Sequence, residues 1–197
     1  MADVMSTGKF LRLAERHNDL TRQLILDAAV AMLERATVSE LTVRAVAKQA
    51  GISERTVFRY FADREAFLDA IADAVRERLA LPGPPGTREE LLATPRALYT
   101  RFEASANLVK AALHTELFHR MRETQAQVRW KAVQAIVDQL GPRRKGRPRR
   151  IAAANIRYYL AATTWHYYRF YFGFSLEETI ECAETAIRQT LDGLTAR

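Results

Sequence analysis

Cys182 is the only cysteine in the chain, so no disulfide can close within it, and a lone thiol fits a reducing compartment, the cytoplasm. No stretch of about 18 uncharged apolar residues occurs, which leaves nothing to span a bilayer. Lys9, Arg12, Glu15 and Arg16 interrupt what would have to be the apolar core of a signal peptide. There is no glycine-rich phosphate cradle and no nucleophile elbow. His114 and His119 flank Glu116, but their spacing turns them about 140° apart on a helix, whereas a zinc-protease helix needs histidines at i and i+4. Glu116 and His119 also make one Glu-x-x-His pair where a di-iron bundle needs two, with two further glutamates. These absences predict neither enzyme nor metal nor cofactor. Internal repeats and low-complexity tracts are missing too.

The net charge of +7 is also less than it looks. Residues 1–80 hold 12 Lys+Arg and 12 Asp+Glu, so the whole excess falls in residues 81–197. Total charge therefore gives no argument for nucleic acid, and only the position of charges can.

What is present is helical periodicity. In Thr42–Phe61, TVRAVAKQAGISERTVFRYF, Val43, Val46 and Ala47 fall on one face of a short helix capped by Thr42. Gly51 reverses the chain, Ile52 plugs the angle, and Ser53 caps a second helix, Glu54–Tyr60. Its outward Arg55 and Arg59 can fork onto a guanine edge, and Thr56 and Tyr60 hydroxyls can bond phosphates. The residues alone fit a DNA-reading helix-turn-helix or an ordinary surface helix pair. A third helix, Arg64–Leu79, follows an Asp63 cap with Phe67, Leu68, Ile71, Val75 and Leu79 on its inner face. Arg64 in its first turn is expected to clamp phosphate. Ahead of them Thr21 is expected to cap a helix carrying Ile25, Ala28, Ala29, Met32 and Leu33, with residues 1–18 a solvated arm or, alternatively, one that reaches a minor groove.

The run Ala31–Ile71, AMLERATVSELTVRAVAKQAGISERTVFRYFADREAFLDAI, resembles the DNA-binding domain of the TetR family of bacterial transcriptional regulators. The match lies in Thr42-Val43, Ala47, Ala50-Gly51-Ile52-Ser53, Thr56, Phe58, Tyr60-Phe61, Arg64-Glu65 and Phe67-Leu68. It implies DNA contacts from Thr42, Ser53, Arg55, Thr56, Phe58, Arg59, Tyr60 and Arg64. Three positions depart from the family: Thr37 where glycine often ends the first helix, Phe58 where tyrosine is usual, and Arg55 where a small residue is common. Phe58 can still touch a thymine methyl, and Arg55 is the expected carrier of a target preference peculiar to this chain.

Leu81–Gly86 packs three prolines and two glycines into six residues and cannot continue a helix. It divides the chain into a helix-turn-helix domain (1–80), a linker (81–87) and an all-α second domain (88–197). There, Thr87 with Glu90 predicts one helix, Thr94-Pro95 starts another through Phe102, and more follow over Ala106–Glu116 and Leu117–Leu140. Arg143–Arg150 is a basic loop with a Lys-Gly-Arg-Pro core like a minor-groove AT-hook, or simply a solvated connection. Ile151–Phe172 reads as one aromatic helix ended by Gly173, and Ser175 with Glu178 caps the last. In that last helix Leu176, Ile180, Ala183, Ile187 and Leu194 form a stripe, which the resemblance assigns to a homodimer interface. Phe102, Phe118, Met121, Trp130, Tyr159, Thr163, Trp165 and His166 are candidates to line a cavity for a small hydrophobic or aromatic effector. The resemblance implies a homodimeric repressor that such an effector releases from double-stranded operator DNA. A ligand-independent or activating regulator, and a helical-bundle enzyme or carrier, are the alternatives.

Overall fold

The computed structural model describes residues 3–35, 41–141 and 146–195, and every regular element among them is helical. The amino-terminal third comprises α1 (Asp3–Glu34), α2 (Val43–Ala50), α3 (Glu54–Tyr60) and α4 (Arg64–Leu79). Ile25, Ala29 and Leu33 give α1 a buried edge that packs on α2 and α4. The helix does not begin at Thr21 as expected. It runs unbroken from Asp3, and the Thr21 hydroxyl is bonded to Tyr60 instead of capping. The expected solvated arm is thus helical from Asp3, while Thr37, the missing glycine, lies outside the described residues.

α4 buries Phe67, Leu68, Ile71, Val75 and Leu79, the face its spacing predicts. It ends at Ala80, whose φ of 44° lies in the left-handed region. Its N–H reaches back to the Arg76 and Glu77 carbonyls, which offsets a steric penalty of about 1 kcal/mol for a residue with a Cβ.

After the non-helical linker come α5 (Arg88–Ala104), α6 (Ala106–Leu113), α7 (Leu117–Leu140), α8 (Arg147–Tyr159), α9 (Ala162–His166) and α10 (Leu176–Thr195); a π-helical turn over Tyr167–Tyr171 extends α9. Both expected capping residues before α5 and α10 act: Glu90 N–H donates to the Thr87 hydroxyl, and Glu178 N–H to Ser175. The Glu178 carboxylate answers by accepting from Ser175 N–H, and hydrogen bonding from the Ser175 side chain first and its backbone second holds that carboxyl below the usual range.

Three expectations need correction. Thr94-Pro95 starts no helix, because α5 passes straight through Pro95. Leu91, Thr94, Pro95, Leu98, Tyr99 and Phe102 are all buried on its inner face, and that packing outweighs the hydrogen bond lost at proline. Ile151–Phe172 is not one helix. It breaks at Leu160-Ala161 although no proline or glycine is there. Side chains hold the break open: the Thr164 hydroxyl donates to Tyr158 O at 2.6 Å, and Tyr99 Oη to Tyr159 O at 2.6 Å. Finally, the basic stretch is not all loop. Arg147–Arg150 form the first turn of α8, and Arg149 donates to Gly141 O (2.8 Å) and Asp138 (3.0 Å), while Arg143, Arg144 and Lys145 lie outside the described residues.

The stripe on α10 is also corrected. Ile180, Ala183, Ile187 and Leu194 are buried within the single chain, and Leu176 is half-buried, because α10 lies along α5, α8 and α7. A surface already covered cannot meet a second copy. What stands exposed instead is aromatic: Tyr167, Phe170, Tyr171 and Phe172 around the π-helical turn. That segment is tied down from beneath by Glu103, which accepts from Arg169 Nε at 3.0 Å and Trp165 Nε1 at 3.1 Å. The Arg169 bond, more than any other influence, holds the Glu103 carboxyl below its ordinary range.

One apolar core runs through all of this, from Ile25 and Val57 to Leu191. α4 rests on α7 and α1 on α6, so the helix-turn-helix is seated directly on the second half of the chain.

Candidate nucleic-acid interface and internal cavity

The helix-turn-helix is built by local chemistry. Thr42 Oγ1 accepts from Ala45 N–H at 3.1 Å, fixing the first turn of α2. Gly51 takes φ 69°, ψ 29°, a left-handed conformation that a Cβ would strain, and lets Ile52 N–H return to Ala47 O at 3.0 Å. Ser53 Oγ accepts from Thr56 N–H at 3.2 Å and lies 2.9 Å from the Thr56 hydroxyl. Val57 is the buried side chain of α3, and Phe61 packs edge-on against Phe67 at 5.3 Å, locking α3 to α4.

This leaves one side of α3 bare. Thr42, Ser53, Arg55, Phe58 and Arg59 are exposed, and Thr56 and Tyr60 are half-buried beside them. Phe58 is 47% exposed with its ring outward, an arrangement that hydration disfavours unless something covers it. Arg55 makes no hydrogen bond or ion pair among the described residues. Arg59 is partly engaged, donating to Tyr60 Oη at 3.2 Å with its guanidinium 5.1 Å from that ring. Tyr60 Oη in turn donates to Asn18 on α1 at 3.3 Å, and its hydrogen bonds, that with Thr21 foremost, hold the phenol below its usual range.

Arg64 is not on this surface as a free cation. Its guanidinium forks onto the Glu116 carboxylate, with Nη1 at 3.0 Å from Oε2 and Nη2 bonded to Oε1, joining the start of α4 to the start of α7. Arg120 on α7 reaches back to Glu65 and Asp69 on α4. The expected phosphate clamp is thus part of an ionic seam between the two halves.

The chain also holds a cavity of about 920 Å³. Its walls come from the last turns of α4 (Arg76, Leu79), the linker (Leu81, Pro82), α5 (Leu98, Phe102), α6 (Val109, Ala112), α7 (Phe118 to Trp130) and the α8–α9 break (Arg157 to Thr163). Of the eight residues expected to line a cavity, Phe102, Phe118, Met121, Trp130 and Thr163 do so. Tyr159, Trp165 and His166 do not. Trp165 is fully buried behind Phe102, at 5.7 Å, and His166 faces His114 at 5.6 Å. Tyr159 stacks edge-on to Tyr158 at 6.0 Å.

Sequence reasoning missed the arginines. Arg76, Arg122, Arg129 and Arg157 all line the cavity. Arg76 has Asp73 on one side, yet its Nη1 is the only buried side-chain nitrogen or oxygen without a partner among the described residues. Arg129 Nη2 donates to Pro82 O at 3.0 Å and Arg157 Nη1 to Leu160 O at 3.2 Å. Burial pulls both guanidinia below their ordinary range, Arg157 further through Arg129 and Arg122 nearby. A signal did exist: none of Arg122, Arg129 and Arg157 has an Asp or Glu three or four residues away on its helix.

Among the described residues no three His, Cys, Asp or Glu are grouped to hold a metal, and no helix is long and apolar enough to cross a membrane.

Residues 25–71 match the family model for bacterial regulatory proteins of the tetR family. No curated protein matches the chain. Among solved structures, it is similar to native NalD of Pseudomonas aeruginosa, the secondary repressor of the MexAB-OprM multidrug efflux pump. That match has a TM-score of 0.58 and 16% identity over 88% of this chain and 96% of NalD. It is also similar to the transcriptional regulator FadR of Bacillus subtilis in complex with stearoyl-CoA, with a TM-score of 0.57 and 18% identity over 87% of this chain and 98% of that one.

Proposed function

From the premise that this chain is a TetR-family regulatory protein, with the family's DNA-binding domain over residues 25–71, we propose that it is a repressor released from its operator by a small hydrophobic effector. Proteins of this family are DNA-binding transcription factors and not enzymes. The observation that carries the finer reading is where the cavity sits. One wall is the last turn of α4, Arg76 to Leu79, and α4 is the helix that leads out of α3. Its other end is held to α7 by Arg64–Glu116 and by Arg120 with Glu65 and Asp69. A ligand that wedges the cavity wall moves one end of a helix whose other end carries the recognition element. NalD as a repressor and FadR with a bound acyl thioester are consistent with this arrangement.

In this reading residues 1–80 form the reader, 81–87 the linker, and 88–197 the effector-binding and dimerisation part. Arg55 and Arg59 read bases; Thr42, Ser53, Thr56 and Tyr60 position the backbone, and Phe58 meets a thymine methyl. Arg64 acts in the seam in place of a phosphate contact. Mapping bound sites across the genome and footprinting them tests the reading. Protected half-sites about 34 Å apart, with protection lost on adding an apolar compound that binds the cavity, are expected. Protection that no cavity-binding compound alters would sink the effector mechanism.

A second copy, in this proposal, covers the aromatic face around Tyr171 and Phe172, which are 68% and 54% exposed. Replacing both with Glu leaves helicity nearly unchanged, since both side chains are exposed and outside the core. Light scattering should then record half the wild-type mass. An unchanged mass removes this face from the interface.

A further inference from the structure

The cavity is apolar along most of its wall but carries more positive charge than its surroundings neutralise. Arg129 and Arg157 are half-buried, and no carboxylate among the described residues pairs with either. Arg122 stands at the same wall, its guanidinium 5.0 Å from the Phe118 ring. Glu77 also borders the cavity, but it is exposed and forms no ion pair among the described residues.

A guanidinium has five N–H donors and remains charged in proteins. Arg129 and Arg157 each use one, on a backbone carbonyl. A neutral amide side chain could make either bond without bringing like charges together in a poorly solvated place. Desolvated cations without a counter-charge are costly, and an acidic group that takes up several charge-assisted bonds relieves that cost.

We propose that the effector is an amphipathic organic anion whose acidic head docks on Arg129 and Arg157, with Arg122 beside them, and whose apolar body lies along Phe102, Met121 and Trp130. The inference rests on the reading that the cavity holds an effector and adds the charge of its head group. The head can be a carboxylate or a phosphate, since both present paired oxygens to a guanidinium fork. The volume of about 920 Å³ is in the range of cavities that enclose ligands of a few tens of heavy atoms.

Trp130 lines the cavity, so its fluorescence reports occupancy without any DNA. Decanoate, decyl phosphate, methyl decanoate and decan-1-ol, titrated into the full chain at neutral pH, share one apolar body and differ in head charge. The anions are expected to bind about tenfold or more tightly than the neutral pair, as charge-assisted bonds to a buried site imply. Arg129→Met with Arg157→Met should erase that preference, bringing the anions to the affinity of the neutral pair in the same variant. Whichever of decanoate and decyl phosphate binds more tightly identifies the head group, and either order supports the proposal. Neutral probes that bind the wild type as tightly as the anions overturn the inference and leave the effector reading standing. If no probe alters fluorescence or melting temperature, both fail together. The wild-type comparison needs no variant, so it holds even if the double substitution does not fold.

Discussion

Ile187→Glu is expected to unfold the chain and not merely to separate subunits. Ile187 is 0% exposed and Ile180 1%, both on the side of α10 that faces α5 and α8. A glutamate at 187 must either bury an ionised carboxylate without a partner or take up a proton, and it also loses the packing of a full isoleucine. Either route costs several kcal/mol, about 4 or more, against a total stability on the order of 5–15 kcal/mol for a folded domain. Circular dichroism should record a melting temperature lowered by about 10 °C or more, or no cooperative melt, and Ile180→Glu should behave alike. Thr185→Ala, at an exposed position of α10, serves as the control, with no loss of melting temperature. A folded, soluble Ile187→Glu monomer with the wild-type melting temperature would return this stripe to the subunit interface and refute the packing described above.

The second large effect is expected at the recognition helix. Arg55→Ala with Arg59→Ala should remove the two proposed base contacts, each worth about 1–3 kcal/mol, and weaken operator binding by a factor of about 30 to 10⁴. The two residues should not contribute equally. Arg55 is unengaged in the free protein, whereas Arg59 must give up its bond to Tyr60 and its place over that ring before it meets a base. Competition across operator variants should therefore show the sharper loss of base preference with Arg55→Ala alone. Thr56→Val, by contrast, should weaken all sequences alike, because a hydroxyl on phosphate carries no base information. If Arg55→Ala lowered affinity equally for every sequence, the assignment of base reading to that side chain would be wrong.

Local chemistry made the helix-turn-helix readable. Thr42, Ser53 and Asp63 each cap the helix that follows them, and Gly51 needs only its own dihedral freedom. The inner face of α4 was readable for a similar reason, since periodicity depends on neighbours along the chain. What periodicity cannot supply is the identity of the covering surface. The α10 stripe has the same spacing whether it meets α5 and α8 or another subunit, and the resemblance to a known family tipped the expectation the wrong way. Pro95 and Leu160-Ala161 fail for the converse reason: local signals argue for a break at the first and none at the second. Tertiary packing of Leu91, Leu98 and Phe102 carries the helix past Pro95, and Tyr99 and Thr164 interrupt it at Leu160. Arg64 was legible as a first-turn cation, but its Glu116 partner lies 52 residues away. The arginines of the cavity were passed over because a charged residue on a helix is ordinarily a solvated one.

The interruption at Leu160-Ala161 has a bearing on how such a chain diversifies. The cavity wall from Arg157 to Thr163 takes its shape from carbonyls released there, and the hydroxyls that capture two of them belong to Tyr99 and Thr164, neither of which borders the cavity. On the proposed effector reading, ligand preference is consequently encoded partly off-site, in residues outside the cavity lining. Drift at position 99 or 164 can remodel the chamber while each lining residue keeps its identity, so two homologues with the same lining can differ in what they accept.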